Sequence, residues 1–174
     1  MPTERQGLLK LGDKDATIIG DDVKVGEKAP DFTVVKNDWT VTKGFKETRG
    51  KVRIILSLPS LDTSVCDKET RRFNQEAAAL GKKIAIIAVS ADLPYTQKRW
   101  CAAAGIDQVI TLSDSLKAEF GKKFGCLIKD RRILRRAVFV VDKKRVVRYA
   151  AYMPTLGDEP NYDEVLAAAR AALK

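Results

Sequence analysis

The chain has 174 residues, 32% charged and 45% hydrophobic, a composition typical of a globular protein with one sizeable core. Its net charge of +9 invites a nucleic-acid or acidic-membrane partner, but acidic residues interrupt the basic ones and no known nucleic-acid-binding motif accompanies them. The chain has no histidine, which excludes catalytic triads and metal sites that need an imidazole. We therefore expect no nucleic-acid partner, no metal ion and no cofactor.

The chain also lacks signals for membranes and secretion. No apolar run approaches the roughly 18 to 20 residues needed to cross a bilayer, and Met1–Gln6 lacks the order of a secretory signal. The three cysteines, Cys66, Cys101 and Cys126, are too widely spaced to suggest the disulfide framework of a small secreted domain. We expect a cytoplasmic protein with no membrane partner.

Two short apolar segments near the N-terminus are separated by turn-forming residues. Gly7–Leu11 and Ala16–Ile19 flank a cluster of Gly, Asp and Lys, which predicts an N-terminal β-hairpin over about residues 7–20. A proline then opens a short strand over Ala29–Val35, and Trp39–Thr42 is a further candidate strand.

The rest of the chain alternates between buried strands and helices. Predicted strands cover residues 54–58, 83–90 and 108–112, and the predicted helices between and after them cover 67–80, 92–104 and 113–124. A glycine closes each of these helices. A β-hairpin over 137–141 and 146–150 and a last helix to about 172 follow. This order predicts an α/β fold, a central mixed β-sheet flanked by helices, in one domain over residues 1–174.

Cys66 lies where a strand gives way to a helix. Pro59 ends the strand, the helix-capping types Asp62–Ser64 follow, and Ser64 with Asp67 makes a capping-box variant. The unpaired N–H groups and the positive end of the helix dipole favour an anion in that first turn. A thiol placed there is driven toward its reactive thiolate form.

Helical spacing puts Cys66 on one apolar face with Phe73, Ala77 and Leu80. That face turns toward the sheet, so we expect the thiol in a shallow, partly buried pocket. An unreactive core cysteine is the alternative, because free cysteines often serve as small apolar residues. The position in the first helical turn after the strand favours the reactive cysteine.

The segment Pro59–Cys66 resembles the Pro-x-x-x-Thr/Ser-x-x-Cys signature of the peroxiredoxins, which are thioredoxin-fold peroxidases. Within that family the chain is similar to the bacterial thiol peroxidases, the atypical 2-Cys subgroup, from about Gly7 to its C-terminus. Further blocks that carry the resemblance are Lys24–Thr33, Ser90–Pro94, Arg136–Asp142 and Glu159–Tyr162. The resemblance implies a thioredoxin-like (peroxiredoxin) fold, a peroxide substrate and a homodimer.

The resemblance also implies roles for five residues. Cys66 is the peroxidatic cysteine, whose thiolate attacks a peroxide oxygen and becomes a sulfenic acid. Thr63 hydrogen-bonds the thiolate and the peroxide, Pro59 shields the pocket from water, and Arg136 adds positive charge beside the sulfur. Cys101 is the resolving cysteine, which forms an intramolecular disulfide with Cys66 that thioredoxin or a similar dithiol reduces.

The other two cysteines read differently without the resemblance. Cys101 lies near the end of a helix and beside Trp100, and this local sequence fits a packed core residue as well as it fits a redox-active cysteine. A disulfide needs Cα atoms about 4.4 to 6.8 Å apart, so we expect separated sulfurs in the reduced protein and local unwinding on oxidation. Cys126 is interpreted as a small core residue, and Arg135, next to Arg136, as a surface arginine.

Two other functions compete with a peroxidase. A disulfide oxidoreductase is disfavoured because the chain has no Cys-x-x-Cys pair. A thioredoxin-fold binding module would use its basic surface to hold nucleic acid or an acidic membrane. Such a module has no need for Pro59, Thr63, Cys66 and Arg136 together.

Overall fold

The computed structural model describes all of residues 1–174. Its helices are α1 (Ser64–Leu80), α2 (Pro94–Ala104), α3 (Glu119–Lys123) and α4 (Tyr162–Ala171), and a short 3-10 turn covers Lys46–Thr48. Its strands are β1 (Glu4–Arg5), β2 (Lys10–Leu11), β3 (Lys14–Asp15), β4 (Ile18–Ile19), β5 (Thr33–Val35), β6 (Val41–Lys43), β7 (Val52–Ser57), β8 (Ile84–Ser90), β9 (Val109–Ser113), β10 (Leu127–Ile128), β11 (Ile133–Leu134), β12 (Ala137–Val141) and β13 (Val147–Tyr152).

The central sheet has seven strands in the order β13-β12-β7-β8-β9-β5-β6. The three middle strands, β7, β8 and β9, run parallel, and the others pair antiparallel, so the sheet is mixed as predicted. The carboxyl ends of parallel strands meet at one edge of a sheet. Because α1 follows β7 and α2 follows β8, both helices begin at that edge.

Alternate residues of the sheet face two different helical layers, as the pleat requires. Strands β7 and β8 are buried along their whole length. On one face of the sheet, Ile54 and Ile86 pack in a core cluster with residues of α1 and α4, among them Phe73 and Val165. On the opposite face, Phe139 of β12 packs in a second core cluster with four further aromatic side chains, Phe32, Phe45, Phe120 and Phe124. The α/β fold with helices flanking a mixed sheet is therefore confirmed.

The predicted N-terminal hairpin is present but differs in detail. Its tip is the pair β2 and β3, while β4 pairs with β1 and with β10 in a separate four-stranded sheet. The apolar residue Ile18 is fully buried in this arrangement, which explains why the segment continues beyond the hairpin tip. No helix of the protein is long and apolar enough to span a bilayer.

The third predicted helix, residues 113–124, is wrong over its first half. Ser113 is the last residue of β9, where it pairs with Ser90, and α3 covers only Glu119–Lys123. The buried carboxylate of Asp114 accepts hydrogen bonds from the backbone N–H groups of Phe120 at 3.0 Å and Gly121 at 2.8 Å. This carboxylate thereby accepts from two N–H groups at the start of α3 that have no partner within the helix, a role that hydrophobic periodicity does not predict.

Candidate active site

Cys66 lies in the first turn of α1, where the sequence places it. Thr63 is the N-cap residue, and its hydroxyl accepts a hydrogen bond from the backbone N–H of Cys66 at 3.3 Å. The predicted capping box of Ser64 and Asp67 is wrong, because Ser64 is already helical and Asp67 instead pairs with Arg71 at 2.8 Å. The sulfur therefore sits beside the positive end of a 17-residue helix.

The structure brings Arg136 directly to this sulfur. Its Nη2 lies 3.1 Å from the Cys66 Sγ, although 70 residues separate the two along the chain. The Arg136 side chain is buried, and its Nε and Nη2 donate to the carbonyl oxygen of Leu156 at 3.0 and 2.9 Å. A fixed guanidinium in this position can stabilise both a thiolate and negative charge that develops on a nearby oxygen.

A third buried charge, Glu69, completes the cluster, and sequence reasoning missed it. Its Oε2 accepts from Arg136 Nη1 at 2.6 Å, and its Oε1 is buried without any partner. Burial raises the pKa of Glu69 to about 7, against the opposing pull of Arg136. The signal in the sequence was spacing, since a residue three positions after Cys66 lies on the same side of the helix.

Cys66 is more deeply buried than the sequence suggested. We expected a partly buried thiol in a shallow pocket, but the residue is 0% exposed and belongs to the core cluster with Phe73 and Leu80. The reason is that the apolar face of α1 begins at Cys66 itself and packs on the sheet. Contact between this sulfur and solvent therefore requires a local opening of the site.

The loop before α1 is held by Asp92 at the end of the neighbouring strand β8. Asp92 accepts hydrogen bonds from the Ser60 hydroxyl at 2.7 Å, the Leu61 N–H at 2.8 Å and the Ser90 hydroxyl at 2.7 Å. Asp92 comes first in the predicted helix 92–104 and is of a helix-capping type, but it does not cap α2, because Leu93 occupies the N-cap position without a side-chain hydrogen bond. The position of Asp92 at the carboxyl edge of the parallel strands is a signal that could have revealed that it holds the loop before α1.

Pro59 is buried at the same edge, two residues beyond the end of β7. The strand therefore ends one residue earlier than the predicted 54–58, and Pro59 leads into the loop that Asp92 holds. Its role as a shield against water stays a prediction.

Cys101 lies in the last turn of α2 and is a free, half-buried thiol. Its Sγ is 3.5 Å from the Thr111 hydroxyl, and burial raises the pKa of this thiol. The neighbouring Trp100 donates its indole N–H to Asp67 at 3.2 Å, which links α2 to the first turn of α1. Both cysteines thus border one core cluster, and no disulfide joins them.

The remaining predictions concern Cys126 and Arg135. Cys126 is a buried core thiol that donates to the Phe124 carbonyl at 3.4 Å, and burial raises its pKa to about 12. Arg135 is not a surface arginine, because only 5% of it is exposed. It stacks over Tyr152 at 4.4 Å and pairs with Asp22 at 3.2 Å.

Comparison with known proteins gives one family and a consistent set of relatives. Residues 24–166 match the family model described as Redoxin. A protein named thiol peroxidase from Oceanobacillus iheyensis is 49% identical over 150 residues, which cover 86% of this chain and 90% of that protein. A thiol peroxidase from Bacillus subtilis is also 49% identical, over 158 residues that cover 91% of this chain and 93% of that protein.

Solved structures show the same architecture. The crystal structure of a peroxiredoxin-like protein from Aquifex aeolicus aligns with a TM-score of 0.84 and 35% identity, covering 98% of both chains. A thiol peroxidase from Chromobacterium violaceum aligns with a TM-score of 0.81 over 97% of both chains, at 21% identity, and this second match supports the fold alone.

Proposed function

The chain belongs to the Redoxin family and, within it, to the thiol peroxidases, which reduce peroxides with a cysteine thiol. From that premise we propose that the sulfur of Cys66 is the one that attacks the peroxide. The observation that carries the proposal is the 3.1 Å contact between Arg136 Nη2 and the Cys66 Sγ at the start of a helix. A guanidinium fixed against a sulfur favours the thiolate, which is the nucleophilic form.

The first chemical step is a two-electron oxidation of sulfur. The Cys66 thiolate attacks the terminal oxygen of a hydroperoxide, an S–O bond forms, and the O–O bond breaks. The peroxide is reduced to an alkoxide or hydroxide, which takes a proton and leaves as alcohol or water. The cysteine is left as a sulfenic acid.

Ionising the thiol cannot account for efficient catalysis by itself. A free cysteine is a few per cent thiolate at neutral pH, so complete ionisation gains roughly thirtyfold, or about 2 kcal/mol. A less basic thiolate is also a weaker nucleophile. We therefore assign to Arg136 a second role, in which its N–H groups stabilise the departing oxygen. Thr63, whose hydroxyl lies at the same helix start, is assigned to orient the peroxide.

Cys101 is proposed as the resolving cysteine. Its thiolate attacks the sulfur of the Cys66 sulfenic acid, a disulfide forms, and hydroxide leaves as water after protonation. The raised pKa of the folded Cys101 thiol disfavours this thiolate until its helix turn unwinds and is hydrated. The Trp100–Asp67 hydrogen bond joins the two turns that must move, so both should loosen together.

The cycle closes when an external dithiol, of the thioredoxin type, reduces the disulfide through a mixed-disulfide intermediate. The free thiols of the protein suit a reducing compartment, which supports a cytoplasmic location.

A homodimer is supported by an exposed apolar patch at the start of α2, where Tyr95 packs on Trp39 at 5.2 Å and Leu93 is 50% exposed. Sedimentation of wild type and of Tyr95→Asp tests the dimer, because the charge should shift it toward monomer.

The decisive experiment compares wild type, Cys66→Ser and Cys101→Ser with hydrogen peroxide, thioredoxin, thioredoxin reductase and NADPH. Wild type should consume NADPH, and it should lose two free thiols when treated with peroxide alone. Cys66→Ser should lose none and show no turnover. Cys101→Ser should be oxidised once by peroxide, yet it should not be recycled through an intramolecular disulfide.

Trp100 provides an independent optical readout, since it lies beside Cys101 and bonds to Asp67. Peroxide should change its fluorescence in wild type and should not produce the same change in Cys101→Ser. Equal fluorescence changes in both proteins would contradict the proposed disulfide.

A further inference from the structure

A cavity of about 350 Å³ opens at the end of the sheet opposite to Cys66. We call it the basic cavity and define it by six cations and one carboxylate, Asp31, that line it. The cations are Lys43, Lys46, Arg49, Arg53, Lys143 and Arg145. Arg53 lies at the start of β7 and Lys143 follows the end of β12, whereas the sulfur lies beyond the other end of β7. Arg53 and Ser57, at that other end, are four positions apart along the strand, roughly 13 Å.

None of the six cations of the basic cavity forms an ion pair with a carboxylate, although Asp31 and Asp142 lie near enough to attract Arg53. The ion pairs of the protein lie elsewhere and include none of them. The nearby Asp142 is already paired with Arg148 at 2.8 Å. Unpaired like charges that share a cleft repel one another and focus a positive potential into it.

Arg53 is the most unusual member of the basic cavity. Only 2% of the residue is exposed, and its Nε and Nη1 donate to the Thr48 hydroxyl at 2.9 Å and the Asp142 carbonyl at 3.0 Å. Its remaining nitrogen, Nη2, makes no hydrogen bond within the protein. Burial, reinforced by Arg145, lowers the pKa of this guanidinium. Asp142 and Asp31 oppose this effect only in part, and a buried arginine with no carboxylate in direct contact carries a desolvation cost that a bound anion would offset.

Arg145, in the loop after β12, lies near Arg53, and both its backbone and its side chain are unusual. Its backbone has a φ of 68°, which is uncommon for a residue other than glycine, and its Nε is buried without a partner. The guanidinium carbons of Arg53 and Arg145 each lie 5.0 Å from the ring centroid of Phe45. The Phe45 ring thus contacts both guanidinium groups, and cation–π attraction offsets part of the cost of gathering like charges around it.

We propose that the basic cavity binds a small anion made of linked phosphate groups. Arginine forks match the oxygens of phosphate with paired hydrogen bonds. The volume lies within the range of small-molecule sites. Phe45 is the only hydrophobic lining residue and is 4% exposed, so no aromatic face is free for a nucleobase to stack on. The phosphate chain is therefore the part that is recognised, whether it is a free polyphosphate or part of a nucleoside triphosphate.

Calorimetric titration of wild type with sodium tripolyphosphate, at low ionic strength and without divalent cations, tests the proposal. We expect one site per chain and an affinity that falls steeply with added salt. Substituting both Lys46→Gln and Arg49→Gln, two exposed positions, should weaken binding by about tenfold or more. The peroxidase activity of this double variant should equal that of wild type, which shows that it is folded.

The matched control removes two positive charges from the N-terminal hairpin, Lys10→Gln with Lys14→Gln, and should change the affinity by less than about threefold. Arg53→Gln tests the buried guanidinium, and it should also weaken binding by about tenfold or more while the circular dichroism spectrum is retained. Absence of binding by wild type, or equal losses in the Lys46/Arg49 and control variants, would overturn the proposal.

Two further titrations separate the sources of the anion. ATP that binds as tightly as tripolyphosphate identifies a nucleotide as a competent carrier of the phosphate chain, and ATP that fails to bind points to free polyphosphate. Either result supports recognition of linked phosphates. A single-stranded oligonucleotide that binds more tightly than both, with several chains per strand, would replace the proposal with a nucleic-acid surface.

Discussion

Cys66 and Cys126 are equally buried, and the difference between them lies entirely in what surrounds each sulfur. Both residues are 0% exposed. The sulfur of Cys66 has a guanidinium at 3.1 Å and a helix start beneath it, whereas the thiol of Cys126 donates to the carbonyl oxygen of Phe124 at 3.4 Å and makes no hydrogen bond with a guanidinium. The Ser57 hydroxyl and the charge of Arg135 oppose the effect of burial on Cys126 but do not outweigh it. Burial raises the pKa of Cys126 to about 12, so it stays a neutral thiol. Burial raises the pKa of a thiol, and a fixed cation in direct contact with the sulfur opposes that effect, which is why we propose Cys66 and not Cys126 as the reactive cysteine.

The largest test of this comparison replaces each sulfur in turn. Cys66→Ser should reduce peroxide turnover to background, a loss of at least about a thousandfold, because the nucleophile is gone. Cys126→Ser should keep turnover within about threefold of wild type, because the Cys126 thiol is neutral and shielded from solvent. Thioredoxin-coupled NADPH oxidation measures both. A loss of turnover in a folded Cys126→Ser protein would place that thiol in the reaction.

The second test removes the cation that distinguishes the two sites. Arg136→Ala should slow the reaction with peroxide by about a hundredfold, in line with the loss of a fixed donor to a developing oxyanion. Stopped-flow rates should be compared at matched thiolate fraction, followed by thiolate absorbance. Arg131→Ala, at an exposed position in the same basic segment, is the control and should leave the rate unchanged. Equal rates for Arg136→Ala and wild type at matched fraction would remove Arg136 from the transition state.

The third test concerns Glu69, the buried carboxylate that pairs with Arg136 beside Cys66. Glu69 has a folded pKa of about 7, above its ordinary value of 4.5, because burial outweighs the attraction of Arg136. A raised carboxyl pKa contributes stability that is present below pH 4.5 and is lost as the pH rises through about 7. The free energy of unfolding of wild type should therefore fall between about pH 5 and pH 8, by roughly 2 to 3 kcal/mol from this group.

Glu69→Gln cannot ionise, so its stability should lack this decline. Urea unfolding of both proteins at the two pH values measures the difference. Parallel pH dependences for Glu69→Gln and wild type would show that Glu69 does not titrate in this range.

The smallest expected effect is that of the helix cap beneath Cys66. Thr63→Ala removes the hydroxyl that accepts from the Cys66 N–H and should lower the free energy of unfolding by about 1 kcal/mol. Thr63→Ser keeps an oxygen there and should restore most of that stability. If the alanine and serine variants unfold at the same urea concentration, the hydroxyl is not a stabilising cap.

The sequence predicts the local part of this site well and the long-range part poorly. Thr63 and Cys66 belong to one helix start, where residue type and spacing decide the geometry, and the structure places both as expected. The contact with Arg136 came from family resemblance, because no local pattern relates residues that lie 70 positions apart.

The roles that were missed depend on neighbours in space. Asp92 and Glu69 are single acidic residues among many in the sequence, and only the meeting of β7, β8 and α1 shows what they hold. Arg135 appeared to be a surface residue because charge predicts exposure, yet Tyr152 and Asp22 enclose it. The depth of Cys66 depends in the same way on how closely α1 packs against the sheet.

The most direct measurement of the central claim is the location of the first oxidation product. Cys101→Ser protein is treated with limiting hydrogen peroxide in the presence of dimedone, which traps sulfenic acids, and the labelled peptides are identified by mass spectrometry. If the Arg136 guanidinium selects the reactive sulfur, the label should be found on Cys66 alone. A label on Cys126, or equal labelling of both cysteines, would contradict it.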